Sequence, residues 1–207
     1  MATLIIIAGR KRVGKSTSAR YISDKLNRSH LPEIVSFANP IKTMTDILFG
    51  LAGRPFGSEQ EKASETGWVW DDLQKECWKQ SGSPNKIGSD KVTVREILQL
   101  VGTMFRNHFC ATFWENILCD YIKDPSDREV VIIDDCRLPQ ELNIKPKGYS
   151  KILRVYLRRA SVAKDNVHYT ETALENAPLD VFDEVIDNDG DIDALYKRLD
   201  KLLDAHF

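Results

Sequence analysis

The chain has 207 residues, 42% hydrophobic and 29% charged, with a formal net charge of −2. A chain this long buries a full core without disulfide or metal staples, and its near-neutral balance argues against a nucleic-acid-binding surface, which usually carries a basic excess. The longest aliphatic runs, Leu4 to Ile7 and Val130 to Ile133, are far too short to span a bilayer, and the N-terminus lacks the basic start of a secretory signal, so a soluble, cytoplasmic protein without membrane contact is expected.

Leu4 to Ala8 reads as a buried strand, short, aliphatic and followed by Gly9. Gly9 to Ser16 is a loop, and Thr17 to Asn27 a helix with apolar Ala19, Tyr21, Ile22 and Leu26. Glu33 to Phe37 is a second strand, and a helix begins after Pro40, proline being favoured in a first helical turn. From Gly50 to Lys91 the periodicity breaks: glycines, serines and prolines alternate with Trp68, Trp70 and Trp78, with one short helix expected over Asp71 to Lys79. Thr93 to Glu96 has the form of a capping box and opens a helix to about Asn107; Thr112 to Glu115 has the same form and opens another to about Ile122. Val130 to Ile133 is the clearest central strand, Lys151 to Leu157 the next and Glu184 to Ile186 the last, before an amphipathic helix from Ile192 to Leu203. Strands alternating with helices imply a mostly parallel sheet covered on both faces.

Gly9, Gly14, Lys15 and Ser16 occupy every fixed position of G-x-x-x-x-G-K-[ST]. The glycines let backbone N–H groups curl around phosphate oxygens. The helix that follows aims its positive end at the same anion. Lys15 adds a mobile charge at the β- and γ-phosphates, and the Ser16 hydroxyl is a Mg²⁺ ligand. The strand before and the helix after are the context this motif requires.

The third strand ends in Asp134 and Asp135, with Arg137 two residues on. Ligands of open α/β sheets bind at the carboxyl ends of strands, and successive strand side chains face opposite sides. One of the two aspartates therefore faces the phosphates, and Asp135, on the side of Arg137, is favoured. In the helix from 93 to 107, apolar residues cover most of the circumference, which implies burial. Yet Arg95, Gln99, Gly102 and Arg106 fall in one narrow strip, with Thr103 alongside. Arginine offers bidentate bonds to phosphate and glutamine an amide for a base edge. The competing reading is a plain solvent face. Gly102 argues against it, since glycine costs about 1 kcal/mol inside a helix and needs a reason such as close approach of a ligand.

These residues resemble the bacteriophage deoxynucleoside monophosphate kinases, a branch of the P-loop nucleoside monophosphate kinases. The matching segments are Gly9 to Thr17, Ser36 to Lys42, Thr93 to Thr103 with Arg106 and Trp114, Ile133 to Glu141, His168 with Glu171, and Asn188 to Gly190. They span nearly the whole chain; residues 50–90 match poorly, and Asn39 stands where the family has an aspartate. The resemblance implies a three-layer α/β P-loop NTPase fold like adenylate kinase, with a five-stranded, mostly parallel sheet. The core would be 1–40, 128–157 and 180–207, with a substrate-binding insertion at about 41–127 and a lid at about 158–178. It implies transfer of the γ-phosphate of ATP, with Mg²⁺, to a deoxynucleoside monophosphate. Gly9, Arg12, Val13, Gly14, Lys15, Ser16 and Thr17 would hold the triphosphate, and Asn188, Asp189 and Gly190 would lie by the adenine. Lys42, Arg95, Gln99, Gly102, Thr103, Arg106, Trp114, Asp135, Arg137 and Glu141 would surround the acceptor, with Trp114 against the sugar. Lys15, Asp135, Arg137, Arg158 and Arg159 would act on the transferring phosphate, the last two from the lid, and Ser16 and Asp135 would hold the metal. A homodimer is compatible with the sequence.

Three other readings compete. One is a P-loop kinase for another small metabolite, such as dephospho-coenzyme A. A GTPase-like switch lacks Asn-Lys-x-Asp, since Asn85 and Lys86 are followed by Ile87 and Gly88. A non-catalytic nucleotide-binding module sits poorly with an intact Lys15 and an arginine strip. The cysteines Cys77, Cys110, Cys119 and Cys136 form no Cys-x-x-Cys pair and no zinc spacing, and read as reduced thiols.

Overall fold

The computed structural model describes residues 2–27, 30–49, 59–69, 91–125, 129–161 and 172–207. The helix expected over Asp71 to Lys79, with Trp70 and Trp78, lies outside them, as do His168, Glu171 and residues 162–171 of the expected lid. The chain divides into two compact units, residues 1–37 with 118–207, and residues 38–117.

In the first unit, β1 (Ala2–Ala8) is buried at every position, as its unbroken aliphatic run requires. It lies at the middle of a five-stranded sheet of order β2-β5-β1-β6-β7, with β2 (Glu33–Val35), β5 (Val130–Cys136), β6 (Tyr149–Arg158) and β7 (Glu184–Asp187). All four pairings are parallel. Helices α1 (Lys15–Leu26) and α7 (Ile192–His206) cover one face: Ala19, Ile22 and Leu26 meet Leu195, Leu199 and Leu202 over Ile5, Ile7 and Ile132. Tyr21 and Tyr196 stack between them with ring centroids 3.9 Å apart. The other face carries Leu4, Ile6, Val131 and Ile133 and packs on Leu118, Ile122, Leu142, Leu174 and Phe182. The result is the expected α/β class, a parallel five-stranded sheet flanked by helices.

The end of β5 departs from simple alternation. Ile6 pairs with Ile133 and Ala8 with Cys136, so two steps along β1 match three along β5. The extra residue falls at Asp134 and Asp135. Cys136 consequently returns to the face of Ile133 and packs in the same cluster. Such register slips re-aim side chains beside functional sites.

The second unit holds α2 (Ala38–Phe49), α3 (Glu59–Ala63), an antiparallel pair of β3 (Glu65–Val69) and β4 (Lys91–Thr93), and α4 (Val94–His108). Helix α5 (Phe113–Ile122) begins in this unit and ends in the first. Its core is Val92, Val94, Ile97, Val101 and Trp114. The β3–β4 pair was not foreseen: its strands are separated by the long aperiodic stretch, which hides their partnership. The capping box at Thr93 forms as expected, the hydroxyl accepting from Glu96 N–H at 3.3 Å and Glu96 Oε2 accepting from Thr93 N–H at 2.8 Å.

The second expected box does not form as drawn. Glu115 turns to Arg106, whose guanidinium donates to Glu115 Oε1 at 3.0 Å. Thr112 Oγ1 accepts instead from the Asn116 amide at 3.3 Å.

Candidate functional site

The loop after β1 has the backbone of an anion cradle. Gly9 (φ 140°), Arg12 (φ 66°) and Gly14 (φ 103°) take left-handed conformations, the pattern that turns successive N–H groups toward one point. Two of these positions need glycine for space as well: a Cβ on Gly9 would stand 2.4 Å from the Leu157 carbonyl oxygen, and one on Gly14 2.8 Å from Asn188 Nδ2. Helix α1 starts at Lys15 with no side-chain cap on its first turn and no acidic residue in it. No side chain caps its N-terminal N–H groups, which lie at the positive end of the helix dipole. Lys15 is only 7% exposed, and its ammonium donates to the Gly9 and Arg10 carbonyls at 2.7 Å each. Ser16 is exposed on the same turn.

At the end of β5, Asp135 Oδ1 accepts from Phe37 N–H at 2.9 Å and so ties the exit of β2 to the strand end. Asp134 and Asp135 are both half-buried. Glu141, expected at the acceptor, is buried and accepts from Arg137 N–H at 2.7 Å and Leu138 N–H at 3.0 Å. Its carboxylate therefore caps the short helix α6 (Pro139–Leu142), with Oε2 taking both backbone bonds. Arg137 is half-buried beside it. Burial pushes the Cys136 thiol well up, with the charges of Glu141 and Asp135 acting the same way and Lys15 against them. It is a core cysteine and no nucleophile.

The Asn188 region turns toward the loop. Its amide is buried and donates to the Val13 carbonyl at 3.0 Å, bracing the loop. Asp189 accepts from Ala160 N–H at 2.7 Å, and Gly190 is exposed. Arg158 is held by a bidentate pair with Asp187, at 2.8 and 2.9 Å, while Arg159 is exposed. Asp187 was missed, although an Asp-Asn-Asp run at a strand end is a visible signal. Arg10 was missed too: it reaches Glu175 at 2.8 Å from inside the loop. Among the described residues no group of three or more His, Cys, Asp and Glu side chains is placed to hold a metal.

In the second unit, Arg95, Gln99, Thr103 and Arg106 are half-buried and Gly102 is buried, while the exposed positions of α4 are Met104, Asn107 and His108. The strip is therefore not the solvent face. Its members differ, however. Arg106 is committed to Glu115, the two side chains being 13% and 2% exposed. Trp114 is 0% exposed, and its indole N–H donates to the Gly102 carbonyl at 2.9 Å. Trp114, expected against the sugar, is thus packed inside the second unit, and Gly102 is approached by its indole. A Cβ on Gly102 would meet Ile41 Cδ1 at an ordinary 3.5 Å. Lys42 is half-buried on α2. Arg95 and Gln99 remain the strip's polar pair one helical turn apart.

A parallel sheet whose central strand runs into such a loop belongs to the P-loop class of α/β proteins. Over residues 56–199 the chain matches the family model described as "Deoxynucleotide monophosphate kinase", and it belongs to that family. It is 28% identical over 120 residues to the deoxynucleotide monophosphate kinase of Escherichia phage RB69, a stretch of 56% of this chain and 46% of that protein. The chain thus matches about half the length of this relative. Solved structures with a similar course include a dephospho-CoA kinase from Campylobacter jejuni, with TM-score 0.48, 12% identity, and 98% and 95% of the two chains covered. Another is a sugar kinase from Janibacter sp. HTCC2649, with TM-score 0.45, 14% identity, and 100% and 96% covered. No helix among the described residues is long and apolar enough to cross a membrane.

Proposed function

We propose that the chain transfers the γ-phosphate of ATP to a deoxynucleoside monophosphate, yielding the diphosphate and ADP. The observation that carries this reading is the loop itself: two glycines that no other residue replaces without a clash, an uncapped helix start free of acid, and Lys15 at their junction. The loop precedes the matched residues 56–199, so it supports the reading independently of the family match.

Phosphoryl transfer is mostly positioning and charge neutralisation. In this reading the backbone N–H groups from Val13 to Thr17 hold the β- and γ-phosphates, and Lys15 exchanges the Gly9 and Arg10 carbonyls for phosphate oxygens. Ser16 and Asp135 are oxygen donors suited to a hard cation; bound there, Mg²⁺ supplies charge neutralisation. Arg95 takes the acceptor phosphate and Gln99 reads its base. The acceptor phosphate is already ionised at neutral pH, so no strong general base is needed. Arg137, Arg158 and Arg159 screen the charge of the transferring group.

A coupled assay of ADP release against deoxynucleoside monophosphates, their ribose counterparts and dephospho-coenzyme A tests this. Turnover is expected with the deoxynucleotides; turnover confined to the other acceptors overturns the assignment. Arg95→Ala should raise KM for every monophosphate by roughly tenfold to a hundredfold, the worth of a charged hydrogen bond. Gln99→Ala should instead reorder the bases. Unchanged kinetics in both variants would leave the strip a purely structural feature.

A further inference from the structure

Asn188 lies 175 positions from Val13 in sequence, yet its Nδ2 donates a buried hydrogen bond to the Val13 carbonyl. The same atom would stand 2.8 Å from a Cβ on Gly14, so the amide is packed against the Val13–Gly14 peptide itself. Asn188 is in turn fixed from behind: its own N–H donates to the Arg158 carbonyl at 2.7 Å, extending the β6–β7 ladder.

No cis peptide bond occurs among the described residues. In a planar trans peptide the C=O and the following N–H point in opposite directions. Holding the Val13 oxygen toward Asn188 therefore aims the Gly14 N–H the other way. Gly14 can otherwise flip this peptide cheaply, because glycine accepts either sign of φ. A flipped peptide would put a carbonyl oxygen where the cradle needs a donor, and an anion there would meet a partial negative charge.

We propose that Asn188 is the positioning residue that locks the Val13–Gly14 peptide with its N–H toward the phosphates. This rests on the reading of the loop as a polyphosphate site. It differs from an adenine contact, because a peptide lock serves any polyphosphate whatever its base. Asn188→Asp keeps the shape but replaces the donor with an acceptor facing the Val13 oxygen; Asn188→Ala removes the donor.

The experiment is calorimetric titration of the wild type and both variants with ATP, GTP and inorganic tripolyphosphate, beside thermal melts. Wild-type binding of tripolyphosphate establishes the polyphosphate site separately. Given that, the affinities of all three ligands should fall together in Asn188→Ala by roughly threefold to tenfold, the range of one net hydrogen bond. Asn188→Asp should lose at least as much. A loss for ATP alone, with tripolyphosphate unmoved, overturns the lock in favour of a base contact. A lowered melting temperature with all three affinities unchanged overturns it in favour of a purely structural brace. Should Asn188→Ala not fold, Asn188→Asp carries the same readout. If the wild type binds tripolyphosphate but shows no turnover with monophosphates, the proposed reaction fails while the lock is still judged by the three affinities.

Discussion

In the phosphate loop the backbone carries the geometry, whereas along α4 and α5 the side chains do. Gly9, Arg12 and Gly14 set the loop by their φ angles, and the side chains around it, Asn188 above all, act on main-chain atoms. In the second unit the functional-looking side chains grip one another: Arg106 grips Glu115, and the Trp114 indole grips the Gly102 carbonyl. A backbone site follows from a motif, because glycine spacing, strand and helix dictate where N–H groups point. A side-chain site does not, because an arginine or tryptophan of the right type in the right strip is equally usable as an internal tie.

The sharpest way to break this comparison is Trp114→Ala. It removes a fully buried indole and its hydrogen bond to Gly102, and the expected loss of stability is about 3–5 kcal/mol by denaturant unfolding. Trp114→Phe keeps most of the ring volume and should lose less. Neither variant should alter the ratio of kcat/KM for a deoxynucleotide over its ribonucleotide, measured well below the unfolding transition. A changed ratio at wild-type stability would mean that the indole does read the sugar, and the contrast between the regions would fall.

Lys15→Met tests the other side. The aliphatic stem stays in its buried position, but the ammonium that holds the Gly9 and Arg10 carbonyls, and is proposed to move to phosphate, is gone. Turnover should drop by about a hundredfold to a thousandfold, as for loss of a preorganised donor, with circular dichroism and melting little changed. A collapse of the fold at unchanged specific activity of the folded fraction would make Lys15 a brace of Gly9 and Arg10 instead.

This difference explains what was legible. The sheet was readable strand by strand, because Leu4 to Ala8 and Val130 to Ile133 are continuous aliphatic runs that only a buried parallel strand explains. Pairing order was not, since nothing in Glu33 to Val35 says that it joins β5 rather than β1. The slip at Asp134 and Asp135 was invisible because alternation assumes an unbroken register. The capping box at Thr93 formed because its two bonds are local. The one drawn at Thr112 lost Glu115 to Arg106, a partner nine residues away that local spacing does not weigh. Glu141 and Asn188 have the right residue types for ligand contact, and their use on backbone groups emerges only with the fold.

The smallest effect concerns the pair at the entry to the expected lid. Hydrogen bonds from Arg158 hold the Asp187 carboxyl below its ordinary range. A carboxyl depressed in the folded state contributes stability that is present above the ordinary aspartate pKa, about 4, and is lost as pH falls through the lower folded value. The two side chains are 43% and 48% exposed, so solvent screens them and the contribution stays below about 1 kcal/mol. Stability curves of the wild type and Asp187→Asn should therefore run parallel, less than about 1 kcal/mol apart, at neutral pH and converge below about pH 4. A gap that persists in acid would assign Asp187 a bond that does not depend on its charge. The same weakness bears on Arg158: a pair this exposed exchanges partners readily, so Asp187→Asn should keep turnover within about twofold of wild type. A larger fall at unchanged stability would show that Asp187 presents Arg158 in its working position, and a side-chain pair would then direct the phosphate region as well.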